Sequence, residues 1–141
     1  MTSTSDTSAT SATSATSAWT SQELDSIEHA EELEIASLRH DGELGSRRTI
    51  WVVRVGDDIY VRSVNGPGSD WYRGTRARQE GRIQAGGVGK DVTIADVADD
   101  TTVNDAVDAA YRTKYGHYAA YIIKAITSPE AASTTMRLAP R

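Results

Sequence analysis

Residues 49–63, TIWVVRVGDDIYVRS, decide how the chain is read. Two apolar runs flank a polar turn in which Gly56-Asp57 supplies the left-handed backbone a tight hairpin needs. The second run then ends on a cation and a hydroxyl, Arg62 and Ser63. A two-residue loop would set Trp51 opposite Arg62; a three-residue loop, Gly56-Asp57-Asp58, would set it opposite Ser63. The pleat alone puts Tyr60, Arg62 and Val64 on one face and Ile59, Val61 and Ser63 on the other.

Upstream, Thr20 and Glu23 have capping-box spacing, and Leu24 and Ile27 follow at helical intervals, which predicts a helix over 21–32. Leu33, Ile35 and Ser37 alternate as a short strand ending near Asp41-Gly42. Downstream, Asn65 to Ser69 is a loop, and Ser69 or Asp70 caps a helix running to about Glu80, weakened by Gly74. RIQA, the turn GGVGK and DVTIADV form a second hairpin. Thr102 caps a helix with Val103, Ala106, Val107, Ala110 and Tyr111 as its apolar stripe, Asp108 set to pair with Arg112, and Gly116 at its end. Residues 118–126 fit helix or strand, and STTMRLAPR reads as a closing edge strand. Five or six strands in antiparallel hairpins, with three or four helices between them, predict an α+β fold in which a closed or partly closed barrel removes the sheet edges.

The first eighteen residues, a Thr/Ser/Ala repeat without a large apolar group, are expected to be a disordered tail, leaving 19–141 as one domain. With no basic start followed by an apolar stretch, and no run of ~18 apolar residues, a cytosolic protein without a membrane span is expected. Cysteine is absent, and His29, His40 and His117 match no ligand spacing, so no metal is expected. The net charge of −5 conceals an asymmetry: residues 47–82 hold eight arginines against four acids, which leaves the remainder at −9. An acidic body with one Arg-rich segment suits a compact anion such as a phosphate better than a nucleic acid, although RNA contact by the Arg-rich helix is a third reading.

GGVGKD is not a phosphate loop: position 84 is Gln, Asp follows Lys90, and a strand follows instead of a helix. GPGSDW lacks the third glycine of a dinucleotide fingerprint. Asp57-Asp58 and Asp99-Asp100 sit in turns, and no catalytic acid or base can be named. The stronger candidate runs from Tyr60 to Arg76. There the strand end Arg62-Ser63, the loop residue Asn65 and a helix start bearing Trp71, Tyr72, Arg73 and Arg76 could build a phosphate pocket walled by aromatic rings. Alternatively, the arginines are a solvated face and Trp71 and Tyr72 are core.

As a set, TIWVVRVGDDIYVRS, DWYRG, GRIQAGG, DVTIADV, AAYRTKYG and TTMRLAPR resemble a bacterial family of uncharacterised domains related to the deazaflavin-dependent nitroreductases. The resemblance spans nearly all of 19–141. It implies the split β-barrel of flavin-nucleotide-binding proteins, FMN or a deazaflavin as cofactor, and a homodimer with cofactor near the subunit interface. Carried over by position, the phosphate would be held by Arg62, Ser63, Asn65 and Arg73 or Arg76. The chain departs from the nitroreductase pattern after Trp71-Tyr72, where Arg73-Gly74-Thr75-Arg76 replaces Asn-Leu and a following Pro. The expected function is flavin or deazaflavin binding with hydride transfer to a small molecule, chemistry that belongs to the cofactor. The competing expectation is a cofactor-free interaction or small-ligand-binding module on the same barrel.

Overall fold

A computed structural model describes residues 18–38 and 42–141; residues 1–17 of the expected tail (1–18) and Asp41 of the expected turn lie outside the described residues. Helix α1 (Ser21–His29) opens with the capping box read from the sequence: Thr20 Oγ1 accepts from the Glu23 backbone N–H, and Glu23 accepts from that of Thr20. It ends three residues earlier than expected. Strand β1 (Leu33–Ser37) follows, then β2 (Arg48–Ile50), β3 (Val53–Val55) and β4 (Asp58–Val61). Next come α2 (Asp70–Arg78), β5 (Glu80–Ala85) and β6 (Val88–Asp96). Helices α3 (Thr101–Tyr115), α4 (Ala120–Ile126) and α5 (Pro129–Ala132) precede the last strand, β7 (Met136–Pro140).

The seven strands form one antiparallel sheet in the order β2-β1-β5-β6-β7-β4-β3. The two edge strands are therefore neighbours in the chain, separated by Trp51 and Val52 alone. Laid flat, seven strands would hold those edges ~29 Å apart, whereas the three steps from Ile50 to Val53 span at most ~11 Å. The sheet has to curl until its edges meet at this corner. This α+β split barrel is the architecture the hairpins implied.

The stretch that suggests a single hairpin is thus two strands on opposite edges. Only Val53–Val55 pairs with β4, through a two-residue loop, Gly56-Asp57, that puts Val55 opposite Asp58. Arg48–Ile50 pairs with β1 instead, and Trp51 leaves the ladder. The pleat reading holds: Ile59 and Val61 face the barrel interior with Leu33, Ile35, Ile83, Val92, Ile94 and Leu138, while Tyr60 faces an outer layer with Val53, Val107, Tyr111, Tyr115 and Ile126.

Three local expectations are corrected. Asp100, not Thr102, caps α3, its carboxylate accepting from the Val103 N–H, 3.1 Å away. Asp108 pairs with Arg62 instead of Arg112. The last strand is no edge: β7 lies between β6 and β4, with Met136 and Leu138 buried. Residues 118–126, left open between helix and strand, contain α4. Among the described residues no helix is long and apolar enough to cross a membrane.

Candidate functional site

The barrel's closing corner is clamped by the C-terminal turn of α3. The Tyr115 hydroxyl accepts from the Val52 N–H (3.2 Å) and donates to the Glu31 carbonyl (2.8 Å), while Lys114 Nζ donates to the Val52 carbonyl (2.8 Å). Burial raises the Tyr115 phenol above its ordinary range, so it stays protonated and able to donate. Trp51, freed from the ladder, stacks face to face on the Tyr115 ring, with centroids 3.9 Å apart and planes 4° apart. Its indole is thereby fixed as one wall of a cavity beside the corner.

That cavity has a volume of about 480 Å³, within the range of small-molecule sites. Four parts of the fold meet there: β2 with the corner (Arg48, Thr49, Ile50, Trp51), the end of β4 and its loop (Ser63, Val64, Asn65), the start of α2 (Ser69, Asp70, Trp71), and α4 (Ile122, Ile126). Trp51, Trp71, Ile50 and Ile122 make an apolar surface able to receive a ring. The polar side is mixed, since Glu32 and Asp70 also line the cavity.

Four residues of the expected site, Arg62, Ser63, Asn65 and Trp71, do line this space; Tyr72, Arg73 and Arg76 do not. Tyr72 is buried in the barrel core, its phenol pushed up by burial. Arg73 pairs with Asp70 at 2.8 Å and Arg76 with Asp96 at 3.3 Å, both on the exposed side of α2. Arg73 thus meets the cavity only through Asp70, and Arg76 lies a turn farther along α2, so a site drawn along the sequence runs past the cavity's rim.

Arg62 needs the largest revision. Its side chain is fully buried, and each N–H group is taken inside the protein. Nε donates to Thr135 Oγ1 (2.9 Å), Nη1 to Asp108 Oδ1 (2.5 Å) and the Ile126 carbonyl (3.1 Å), and Nη2 to Asn104 Oδ1 (3.1 Å) and its carbonyl (3.3 Å). A guanidinium has five N–H donors, so none is left for a phosphate. Arg62 instead ties β4 to α3, α4 and the approach to β7, and so holds the cavity wall in place.

Ser63 is likewise committed, donating from Oγ to the Gly66 carbonyl (2.8 Å), with Ser69 Oγ 2.6 Å away. These bonds shape the loop into α2. Because Ser69 turns its hydroxyl to this loop, it makes no side-chain cap on the helix it precedes. The first-turn N–H groups of α2 therefore keep their capacity to receive an acceptor.

Two side chains at the cavity keep free donors. Among the described residues Arg48 makes no ion pair, its sole hydrogen bond being a long one (3.5 Å) to the Arg47 carbonyl, and Asn65 makes no side-chain hydrogen bond. Sequence reading missed Arg48 because the hairpin interpretation placed it before the segment of interest. The short gap between the edge strands was the signal that could have found it. Together Arg48, Asn65 and the α2 amide groups fit an anionic headgroup, with the indoles beside them to cover a flat ring. Among the described residues no cluster of three or more metal-ligating side chains occurs.

A family model described as an uncharacterized protein conserved in bacteria, DUF2255, matches residues 23–138. No curated protein matches the sequence. Among solved structures, the fold is similar to that of a putative pyridoxamine 5′-phosphate oxidase from Listeria innocua, with a TM-score of 0.56 and 11% identity over 85% of this chain and 90% of that one. An FAD-binding protein from Mesorhizobium loti superposes with a TM-score of 0.52 and 13% identity, over 90% and 92% of the two chains. An F420 reductase gives 0.50 and 11%, over 83% and 90%. At these identities the likeness is one of fold.

Proposed function

The chain belongs to the bacterial DUF2255 family, and on that premise we propose that it binds a flavin or deazaflavin nucleotide in the corner cavity and serves hydride transfer to a small molecule. The observation that carries this reading is the pairing of free donors with a flat apolar wall in one cavity: Arg48, Asn65 and the start of α2 on one side, Trp51 and Trp71 on the other. Proteins of the same fold include an FAD-binding protein and an F420 reductase, which supports a ring-bearing cofactor over other anions.

In this reading Arg48 and Asn65 hold the phosphate, and the α2 amide groups add the partial positive charge of a helix N-terminus. Trp51, braced by Tyr115, covers one face of the ring and keeps water from it. When bound, such a cofactor supplies the hydride-carrying ring, and the protein's task is to bind, orient and shield. Arg73 and Arg76, paired on the outer side of α2, take no part.

The test is a thermal-shift screen with FMN and a deazaflavin nucleotide. A ligand at 100 times its dissociation constant adds about 2.7 kcal/mol of stability, enough to raise Tm by several degrees. Arg48→Ala should remove most of that gain while leaving the unliganded Tm unchanged, and an undiminished gain would take Arg48 out of the site. A second reading, a cofactor-free small-ligand module, is favoured by Glu32 and Asp70 at the cavity, which oppose an anion. Under it, neither nucleotide shifts Tm.

A further inference from the structure

A second groove, about 460 Å³, lies on another side of the molecule between α1, β3 and α3, and holds one of the chain's three lysines. Half of its lining is apolar and small, Val53 and Val55 from the edge strand and Ala106, Ala109 and Ala110 from α3, and the rest is polar, with Thr113 beside the charged groups. Lys114 is half-buried in this lining. Its Nζ donates to the Val52 carbonyl at 2.8 Å and sits 5.2 Å from the centroid of the Tyr115 ring, and among the described residues it makes no ion pair.

The charged groups facing it are Glu28 and His29 of α1, Glu31 just beyond, and Arg54 of β3. Arg54 is occupied by Asp25 (2.9 Å) and Glu28 (3.0 Å), and Glu31 by the Tyr118 hydroxyl. The acids favour the ammonium, but desolvation outweighs them and lowers the Lys114 amine to about 8.

We propose that Lys114 is a nucleophilic amine that captures small apolar aldehydes in this groove as a Schiff base. The Nζ lone pair forms a C–N bond to the carbonyl carbon; the carbonyl oxygen takes up protons and leaves as water, giving a C=N bond with no change of oxidation state. Hydrolysis reverses it. Once protonated, the imine nitrogen retains one N–H, which can still donate to the Val52 carbonyl. The aliphatic chain of the aldehyde would lie along Ala106, Ala110 and the β3 valines. Neither Lys90, paired with Glu23 at 3.2 Å, nor the exposed Lys124 has such a setting.

Full-length protein treated with butanal and cyanoborohydride at pH 7, followed by peptide mass mapping, tests this on the unaltered chain. An amine of pKa about 8 is about one-tenth neutral at pH 7, against ~1 part in 2,500 for an ordinary lysine, so Lys114 should label at least ~10-fold faster than Lys124. A long-chain aldehyde used as the labelling reagent, which fills the groove, should favour Lys114 over Lys124 by a wider margin than a short, water-soluble one. Labelling of Lys90 and Lys124 at rates equal to or above that of Lys114 would overturn the proposal.

Discussion

Arg62 closes a strand whose pleat is plain from the sequence, yet its partners are not. The alternation of Tyr60, Arg62 and Val64 puts it on one face with Tyr60, and the structure makes that the outer face. What covers that face arrives more than forty residues later, when α3 brings Asp108 and Asn104 and α4 ends at Ile126. Local reading gave Asp108 to Arg112, a helical pair worth only ~0.5 kcal/mol when exposed; a buried cation with no other counter-charge draws the carboxylate more strongly. Arg62→Met should therefore destabilise the protein by ~3–5 kcal/mol, because Asp108, Asn104 and Thr135 lose their donor in a buried setting. Urea denaturation checks this. A loss below about 1 kcal/mol would mean that the network is not closed as described.

At the scale of elements, caps and turns are largely legible because their chemistry is local: the Thr20–Glu23 box and the Gly56-Asp57 loop lie where the residues put them, whereas the α3 cap falls on Asp100 and the turn read as GGVGK is Gly86-Gly87 alone, with Val88–Lys90 already in β6. The larger failures concern neighbours. The alternation in Met136 and Leu138 identifies a strand but not its place in the sheet, and the final strand proves internal. The break at Trp51 is hidden because both halves of the run remain apolar and extended. The second hairpin turn offers a contrast that tests its packing. Gly86 and Gly87 both have positive φ, 56° and 85°, but a Cβ on Gly86 would lie 2.3 Å from the Ser26 carbonyl of α1, whereas one on Gly87 would meet nothing. Gly87→Ala should cost about 1–2 kcal/mol from backbone strain, and Gly86→Ala clearly more, since α1 must move as well. Equal losses in thermal denaturation would show that α1 does not rest on this turn.

For the whole molecule, the decisive feature is closure. Two consecutive short strands on opposite sheet edges force the sheet to curl, and the corner they create, braced by Tyr115 and Lys114, becomes the wall of the larger cavity. Neither hydrophobic pattern nor charge count reveals a site built by four separated segments, which is why only part of the expected set lines it. Tyr121, 76% exposed, and Val64, 46% exposed, stand beside the cavity on α4 and the loop after β4. The family resemblance implies a homodimer with cofactor near the subunit interface, and we propose that the second copy covers these two side chains; light scattering should give a dimer that Tyr121→Asp weakens, and a monomeric wild type would refute it. The most direct test of the proposed site is an equilibrium titration of FMN against riboflavin, which lacks the phosphate, monitored by quenching of tryptophan fluorescence. The phosphate contact is expected to give FMN at least ~10-fold tighter binding, since a hydrogen bond to a charged group is worth about 1.5–3 kcal/mol, and Arg48→Ala should erase the difference. Equal affinities for the two ligands, or no saturable quenching by either, would contradict a phosphate site at the closing corner.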